Sequence, residues 1–241
     1  MPAALDWRMF RLIALGFSVS LLACQKATLP ATGSQAVRAT QANAPEQPIA
    51  ADSLARVKLA DLAATIPGVR FELRYATTNN FTGAILPGYG AARPLLRREA
   101  AGALVRVERD LESKGMGLKV WDGYRPVRAT LGMVDWCERN HRTDLLDSGY
   151  IARRSRHNQG VAIDLTVVDF KSGHELDMGT PFDNFTARAH TENASGQQAV
   201  NRRILGDAMR RAGFVNFVGE WWHFSFEVPD PMPFDLPLES W

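Results

Sequence analysis

Two short segments of the sequence place histidine and carboxylate side chains inside otherwise apolar stretches. In the first, His157 stands just before a glycine turn, and Asp164 lies in the apolar, β-branched run that follows. In the second, Glu220 and His223 enclose two tryptophans. A carboxylate among apolar residues is costly unless it is paired or binds a metal. These two polar intrusions therefore predict one shared site.

The residue types at this site fit a catalytic zinc ion. Zinc in catalytic sites takes three protein ligands and leaves its fourth position open, and His157, Asp164 and His223 meet that count. Glu220 is then left over and can serve as a general base. Positions 220 and 223 have opposite parity, so a regular strand would aim them at opposite faces. We therefore expect a bulge or a strand start after Gly219 that turns Glu220 toward the metal.

A further candidate, Arg125, lies in the segment Asp-Gly-Tyr-Arg-Pro at a predicted strand-to-helix junction. Loops carried by a rigid scaffold often present functional groups, but a surface arginine paired with a nearby acid is the alternative. The other histidines, His141, His174 and His190, lie in polar surroundings, and we expect them to be solvated.

The elements that must position these residues can be read from apolar periodicity. It predicts strands at 69–75, 118–121, 161–168 and 220–228 and helices at 97–114, 126–140 and 197–212. The first and third helices end at a glycine, which favours a helix C-terminus. The order of elements predicts an α+β fold, a small single domain with a central, mostly antiparallel sheet flanked by helices.

The N-terminus has the features of an exported lipoprotein. Arg8 and Arg11 precede an apolar run at 12–22 that is too short to span a bilayer comfortably. The run ends in Leu-Leu-Ala-Cys, which resembles the bacterial lipobox and predicts a lipoprotein signal peptide at 1–23 with acylation of Cys24. An ordinary secretory signal with a chance cysteine is the alternative. Two or more acyl chains on Cys24 would attach the protein stably to a membrane.

The rest of the chain divides into a tether and one domain. Residues 24–53 are rich in Ala, Thr, Gln, Pro and Ser without apolar periodicity, which predicts a disordered tether. The folded domain is predicted at 54–241, where Cys137 is expected to be a buried free thiol. Gln25, rather than aspartate, after the acylated cysteine favours the outer over the inner membrane if the host is Gram-negative. We therefore expect an exported, periplasmic protein anchored to a membrane.

The charge balance argues against nucleic-acid partners. The chain has 28 Lys and Arg against 26 Asp and Glu, a net charge of +2 that is spread evenly along the sequence. A nucleic-acid-binding domain usually concentrates basic residues. The expected partners are a small substrate and a membrane, while the sequence does not indicate an oligomeric state.

Taken together, these segments resemble the zinc D-alanyl-D-alanine dipeptidases, the VanX-like branch of the D,D-peptidase family M15, which also includes D,D-carboxypeptidases. The resemblance extends from about residue 57 to the C-terminus. It includes Arg-Tyr-Ala-Thr at 74–77, Asn-Phe-Thr-Gly at 80–83, Asp-Gly-Tyr-Arg-Pro at 122–126 and Met-Gly-Thr-Pro-Phe-Asp at 178–183. The last of these, with Glu-Trp-Trp-His at 220–223, favours the dipeptidase branch.

The resemblance implies that one zinc ion per chain is bound by His157, Asp164 and His223. It also implies that Glu220 is the catalytic base and that Arg125 stabilises the developing oxyanion. The activity expected from it is zinc-dependent hydrolysis of D-Ala-D-Ala to D-alanine in the cell envelope.

The resemblance also implies that Ser155 and Asp183 help to hold the substrate. Arg156 follows Ser155 where some relatives have a small residue, so the shape of the pocket is expected to differ from theirs. A D,D-carboxypeptidase acting on longer stem peptides is the alternative enzyme. A non-catalytic, zinc-containing cell-wall-binding lipoprotein is the alternative from another class, although a purely structural zinc site needs neither Glu220 nor Arg125.

Overall fold

The computed structural model describes residues 47–241, with side chains from residue 51 onward. The predicted signal peptide, its Cys24 and most of the predicted tether lie outside these residues. The first described element is helix α1, Gln47–Lys58, which corrects the predicted end of the tether at Ser53. Pro48 suits the first turn of a helix, and the alanines that follow are strong helix formers.

The described elements form an α+β domain, as predicted. After α1 come, in chain order, β1 (Leu59–Asp61), α2 (Leu62–Thr65), β2 (Arg70–Phe71), β3 (Leu95–Arg97), α3 (Arg98–Glu112), β4 (Met116–Asp122), α4 (Val127–Arg139), α5 (Asp144–Asp147), β5 (Ala162–Asp169), α6 (Gly196–Arg211), β6 (Val215–Asn216) and β7 (His223–Ser225). The main sheet has the strand order β2-β4-β5-β7-β6, and β1 pairs with β3 in a separate two-stranded sheet. Only the β2–β4 pair of the main sheet is parallel, so the sheet is mostly antiparallel.

The central strand pairing places the functional residues in register. Asp164 of β5 lies opposite His223 of β7 on one side and opposite Asp122 of β4 on the other. The β4–β5 register shifts between Val120 and Asp122, so Trp121 is the extra residue of a bulge. A bulge re-aims the side chains beside it, and here it carries the end of β4 toward the site.

Helix α3 shows how the apolar pattern builds the core. Its predicted inward-facing residues, Ala100, Leu104, Val107 and Leu111, are all fully buried. Gly115 follows the helix with a φ of 73°, a left-handed conformation that glycine adopts without strain. The helix therefore ends as predicted and leads directly into β4.

Two predicted strands are shorter than the sequence pattern indicated. The segment 69–75 pairs only over β2 and then forms a 3₁₀ turn at Arg74–Ala76. Leu73 and Tyr75 stay buried, so the apolar alternation persists although the backbone leaves the sheet. The last strand extends only over β7, because the backbone N–H of His223 donates to the carbonyl of Glu220 in a turn.

Helix α6 presents a different face to the core than predicted. Val200 was expected to be inward-facing but is 37% exposed, whereas Asn201, Leu205, Ala208 and Met209 are buried. A strict spacing of four residues drifts around a helix of 3.6 residues per turn. Within the predicted series, burial therefore increases from Val200 through Ile204, which is partly buried against the core, to the fully buried Ala208.

The remaining findings concern the membrane and the thiol. None of the helices in the described part of the chain is long and apolar enough to cross a membrane. Cys137 is fully buried in α4, as predicted.

Candidate active site

The predicted zinc ligands converge at the ends of three different segments. Asp164 comes from β5, His223 from β7 and His157 from a 3₁₀ turn at Arg156–Gln159. Their ligand atoms lie within 4.8 Å of one another. His157 Nε2 is 3.2 Å from His223 Nδ1 and 3.4 Å from Asp164 Oδ2, and His223 Nδ1 is 2.9 Å from Asp164 Oδ1.

The turn that carries His157 is fixed by local hydrogen bonds. The Ser155 hydroxyl accepts from the His157 backbone N–H at 3.2 Å, and the Asn158 side chain accepts from the Ser155 N–H at 3.2 Å. The Asn158 amide also donates to the carbonyl of Arg125 at 2.9 Å. Gly160 ends the turn with a φ of 66°, and a Cβ there would lie 2.6 Å from Leu59. The left-handed φ and this close approach both favour glycine at this position.

The hydrogen bond of the His157 ring leaves its Nε2 available to bind a metal. Its Nδ1 lies 2.7 Å from the carbonyl of Gly123, and because a carbonyl can only accept, Nδ1 carries the proton. Nε2 is therefore the ring nitrogen that faces the Asp164 carboxylate at 3.4 Å, and this contact is favourable when a cation, either a proton or a metal ion, lies between the two groups. Zinc bonds of about 2.0–2.1 Å in tetrahedral geometry place ligand atoms roughly 3.3 Å apart, close to the separations observed. A carbonyl partner on the second ring nitrogen is also typical of zinc-bound histidine.

The electrostatics of the ligands agree with this geometry. Burial alone would raise the pKa of Asp164, but His157 and His223 together hold that pKa well below its ordinary value. Burial lowers the pKa of His223, against the opposing effect of Asp164. The carboxylate and a neutral imidazole are the forms that bind zinc.

Arg125 lies against the ligands and is held rigidly. It is 8% exposed, its Nε donates to Asp122 Oδ2 at 2.9 Å, and its Nη2 lies 3.9 Å from Asp164 Oδ2. Its guanidinium stacks over the ring of Tyr75 at 5.0 Å. Asp122 is fully buried and also accepts a hydrogen bond from Tyr89. The sequence left open whether Arg125 pairs with an acid or faces a site, and the structure shows that it does both.

Two further carboxylates face the cluster. Glu220 is 8% exposed and its Oε2 lies 3.7 Å from His223 Nδ1. Burial, with Asp164 and Asp183 nearby, raises the pKa of Glu220 well above its ordinary value. Glu220 lies in the turn before β7, so a late strand start, rather than one directly after Gly219, turns it toward the ligands.

Asp183 occupies an unusual backbone position. Its φ is 57°, a left-handed conformation that is uncommon for residues other than glycine and that often marks functional positions. The Tyr75 hydroxyl lies 3.1 and 3.2 Å from its two carboxylate oxygens. Burial, followed by the charge of Asp164, raises the pKa of Asp183 to about 8.

All seven predicted site residues line one cavity of about 200 Å³: Arg125, Ser155, His157, Asp164, Asp183, Glu220 and His223. Sequence reasoning missed Asp122, Tyr89 and Tyr75, which orient Arg125 and Asp183, as well as Phe217 in the cavity wall. Asp122 and Tyr75 lie in motifs that were already recognised, so their position beside candidate residues was the available signal.

The other three histidines lie away from this cavity. His141 and His174 are exposed, as predicted. His190 is half-buried, and its Nε2 lies 3.1 Å from the Tyr150 hydroxyl, so it is less solvated than predicted.

Comparison with known proteins gives consistent results. A family model of the M15 peptidases, described as D-ala-D-ala dipeptidase, matches residues 55–232. The chain is 35% identical to a D-alanyl-D-alanine dipeptidase of Enterococcus faecium, over 72% of this chain and 95% of the relative. It is 34% identical to one from Streptomyces coelicolor, over 72% of this chain and 94% of the relative. It is also 35% identical to one from Escherichia coli K12, over 74% of this chain and 89% of the relative.

Similarity to solved structures is more distant. A mutant of the vancomycin-resistance D,D-pentapeptidase VanY in complex with Zn(II) is 16% identical, with a TM-score of 0.35, over 56% of this chain and 75% of that chain. The D,D-dipeptidase VanXYg in complex with a D-Ala-D-Ala phosphinate analogue is 22% identical, with a TM-score of 0.33, over 55% of this chain and 51% of that chain. These two likenesses are too weak to support an argument about the site.

Proposed function

We infer the activity of the chain from its family, because it belongs to the D-Ala-D-Ala dipeptidases of peptidase family M15. It is a zinc metallopeptidase that hydrolyses the dipeptide D-Ala-D-Ala to D-alanine. The observation that best supports this activity is the convergence of three ligand residues, a spare glutamate and a buried arginine on one cavity.

His157, Asp164 and His223 would hold the zinc ion. Zinc bound there supplies Lewis-acid chemistry, which polarises a carbonyl and makes water more acidic. The hydrogen bond from His157 Nδ1 to the Gly123 carbonyl keeps the ring in the tautomer that this role requires.

Glu220 would move the proton. It is buried beside His223, but its Oε2 lies 3.7 Å from His223 Nδ1, farther than Asp164 Oδ1, which lies 2.9 Å from the same nitrogen. As a carboxylate it can accept a proton from the attacking water, and its raised pKa allows it to hold that proton and then donate it to the leaving amine.

Arg125 would stabilise the negative charge that develops on the substrate carbonyl oxygen. Asp122 and the ring of Tyr75 fix its guanidinium before substrate arrives. A preorganised cation in a site from which water is excluded favours the transition state over the ground state.

Asp183 would bind the free ammonium of the dipeptide, and Ser155 would help to hold the substrate at the cavity wall. A group that captures an ammonium excludes longer peptides, which carry an amide at that position. This role favours the dipeptidase over the D,D-carboxypeptidase activity that the sequence left open.

The experiment that tests the activity uses the purified, zinc-loaded chain and measures release of D-alanine. We expect rapid cleavage of D-Ala-D-Ala and little cleavage of N-acetyl-D-Ala-D-Ala or of a stem pentapeptide ending in D-Ala-D-Ala. Preferential cleavage of the pentapeptide would instead indicate a carboxypeptidase. Stoichiometric zinc with no turnover of any D-peptide would favour the binding lipoprotein.

We also propose that the chain is exported and anchored to a membrane through acylated Cys24, in the outer membrane if the host is Gram-negative. The support is the basic, apolar and lipobox-like order of the first 24 residues. Cells expressing the full chain should hold it in the membrane fraction, and Cys24→Ser should release it from that fraction. Equal membrane retention of both forms would rule out the anchor.

A further inference from the structure

Acids and Arg125 line the buried part of the active-site cavity, and two further arginines line its more exposed part. The inner wall contains three carboxylates: Asp164, Asp183 and Glu220. At the rim, the more exposed part of the cavity wall, Arg154 and Arg156 flank Ser155 in the segment that leads into the 3₁₀ turn. A free dipeptide is a zwitterion, so this polarity orients it, with its ammonium toward the acids and its carboxylate toward the rim.

Three arginines line the cavity, and two of them are already occupied. Arg125 is engaged by Asp122 at 2.9 Å. Arg156 donates to the Phe226 carbonyl at 3.0 Å and pairs with Glu227 at 2.8 Å. Arg154 is exposed, and among the residues that the structure describes no carboxylate lies within 4.0 Å of it. The only uncommitted cation of this part of the cavity wall is therefore Arg154.

The position of Arg154 is defined by its neighbours on both sides. Ile151 is buried in the core, and Ser155 caps the turn that carries His157. Arg154 thus extends from a short segment whose backbone is fixed at both ends, and it lines the same cavity as the ligand cluster. A planar guanidinium can donate two parallel hydrogen bonds to a carboxylate.

From these observations we propose that Arg154 is a specificity-determining residue that binds the C-terminal carboxylate of the dipeptide. This inference rests on the proposed function, because it names the group that orients the same substrate. The interaction is present both before and during the reaction, so it should contribute uniform binding and affect KM rather than kcat.

The test compares Arg154→Ala with Arg153→Ala in the zinc-loaded full chain. Arg153 is the matched control because it is an adjacent, exposed arginine that pairs with Glu138 at 2.9 Å and does not line the cavity. For Arg154→Ala we expect KM for D-Ala-D-Ala to rise about 5- to 50-fold with little change in kcat. This increase lies between the effects of losing an exposed ion pair and of losing a charged hydrogen bond. Arg153→Ala should behave like wild type, and Arg154→Lys should recover part of the loss.

A substrate without the carboxylate provides the second arm. D-Ala-D-alaninamide should show a raised KM with the wild type but no further increase with Arg154→Ala, because the two changes remove the same contact. Added salt should raise KM for the dipeptide in the wild type and have a smaller effect in Arg154→Ala. The proposal would be overturned if Arg154→Ala raised KM for the amide as much as it raises KM for the dipeptide. It would also be overturned if Arg153→Ala and Arg154→Ala raised KM for the dipeptide equally.

Direct binding separates this inference from the proposed function. Zinc-loaded Glu220→Gln should bind D-Ala-D-Ala without cleaving it, and calorimetry can compare it with the Glu220→Gln, Arg154→Ala double variant. Equal affinity in the two proteins would refute the role of Arg154 and leave the dipeptidase assignment intact. Absence of dipeptide binding to Glu220→Gln would refute the dipeptidase assignment, and this inference with it.

Discussion

Asp122→Asn tests whether the pair of Asp122 with Arg125 is required to position the arginine. Asp122 is fully buried and lies 2.8 Å from Nη2 and 2.9 Å from Nε of Arg125. Removing its charge leaves a buried guanidinium whose other acidic neighbour, Asp164, lies 3.9 Å away. Loss of one partner of a buried ion pair typically destabilises a protein by about 3–5 kcal/mol. At roughly 2–4 °C per kcal/mol for a domain of this size, Tm should fall by about 6–20 °C.

The same substitution should reduce turnover through the position of Arg125. Loss of one preorganised oxyanion donor typically lowers kcat by about 10²–10³, and we expect Asp122→Asn to fall in that range at a temperature where it is folded. Zinc content should stay near one per chain, because the proposed ligands are unchanged and His157 Nδ1 keeps its hydrogen bond of 2.7 Å to the Gly123 carbonyl, whereas Asp122 Oδ2 lies farther from that nitrogen, at 3.5 Å. The assays are thermal unfolding, zinc analysis and steady-state kinetics with D-Ala-D-Ala.

Asp144→Asn is the matched control. Asp144 also pairs with an arginine, Arg142, through two contacts of 2.9 Å, but its side chain is 61% exposed. Exposed ion pairs contribute about 0–1 kcal/mol, so neither stability nor turnover should change much. If Asp122→Asn kept wild-type kcat, or if it lost zinc, the positioning role of Asp122 would be refuted.

Three other predictions follow from the site and the core. His157→Ala and His223→Ala should each abolish stoichiometric zinc binding, and full zinc occupancy in either variant would contradict the ligand assignment. Glu220→Ala should keep zinc but lower turnover by about two or more orders of magnitude. Asp183→Ala should lower kcat/KM for D-Ala-D-Ala roughly 30- to 4,000-fold without loss of zinc. Ammonium capture by Asp183 would be excluded if the wild-type protein cleaved the free and the N-acetylated dipeptide at equal rates. Burial raises the pKa of Glu108 in α3 to about 7 from 4.5, so the folded state holds that proton more tightly and stability should fall as pH rises from about 4.5 to 7. Glu108→Gln should remove this part of the pH dependence in denaturant titrations, and an unchanged slope would show that Glu108 is not its source.

The sequence allowed candidate zinc ligands to be proposed because their burial is physically costly. Asp164 lies between apolar strand residues, and such a carboxylate demands a partner. The apolar periodicity also predicted α3 and β5 nearly to their ends. These features depend on residues close in sequence, which is why they can be recognised without a structure.

The features that sequence reasoning missed depend on contacts between distant segments. Tyr89 reaches Asp122 and Tyr75 reaches Asp183. Tyr75 lies in the recognised segment Arg-Tyr-Ala-Thr, but no sequence neighbour of either tyrosine shows which distant residue it contacts. The strand predicted at 69–75 pairs only at Arg70–Phe71 for a related reason. Tyr75 is buried because it faces the site, so its apolar alternation reflected tertiary packing and not sheet pairing.

The segment Asp-Gly-Tyr-Arg-Pro, 122–126, connects Arg125, the proposed oxyanion group, to His157, a proposed zinc ligand. A Cβ on Gly123 would lie 2.5 Å from the Leu95 carbonyl oxygen, so only glycine allows the backbone to approach β3 this closely. That approach also holds the Gly123 carbonyl where it accepts from His157, while the Arg125 N–H donates to the His157 carbonyl at 3.1 Å. Since the same turn orients His157 and supports Arg125, a larger residue at Gly123 must displace both. The proposed metal site and the proposed oxyanion site therefore depend on one backbone conformation.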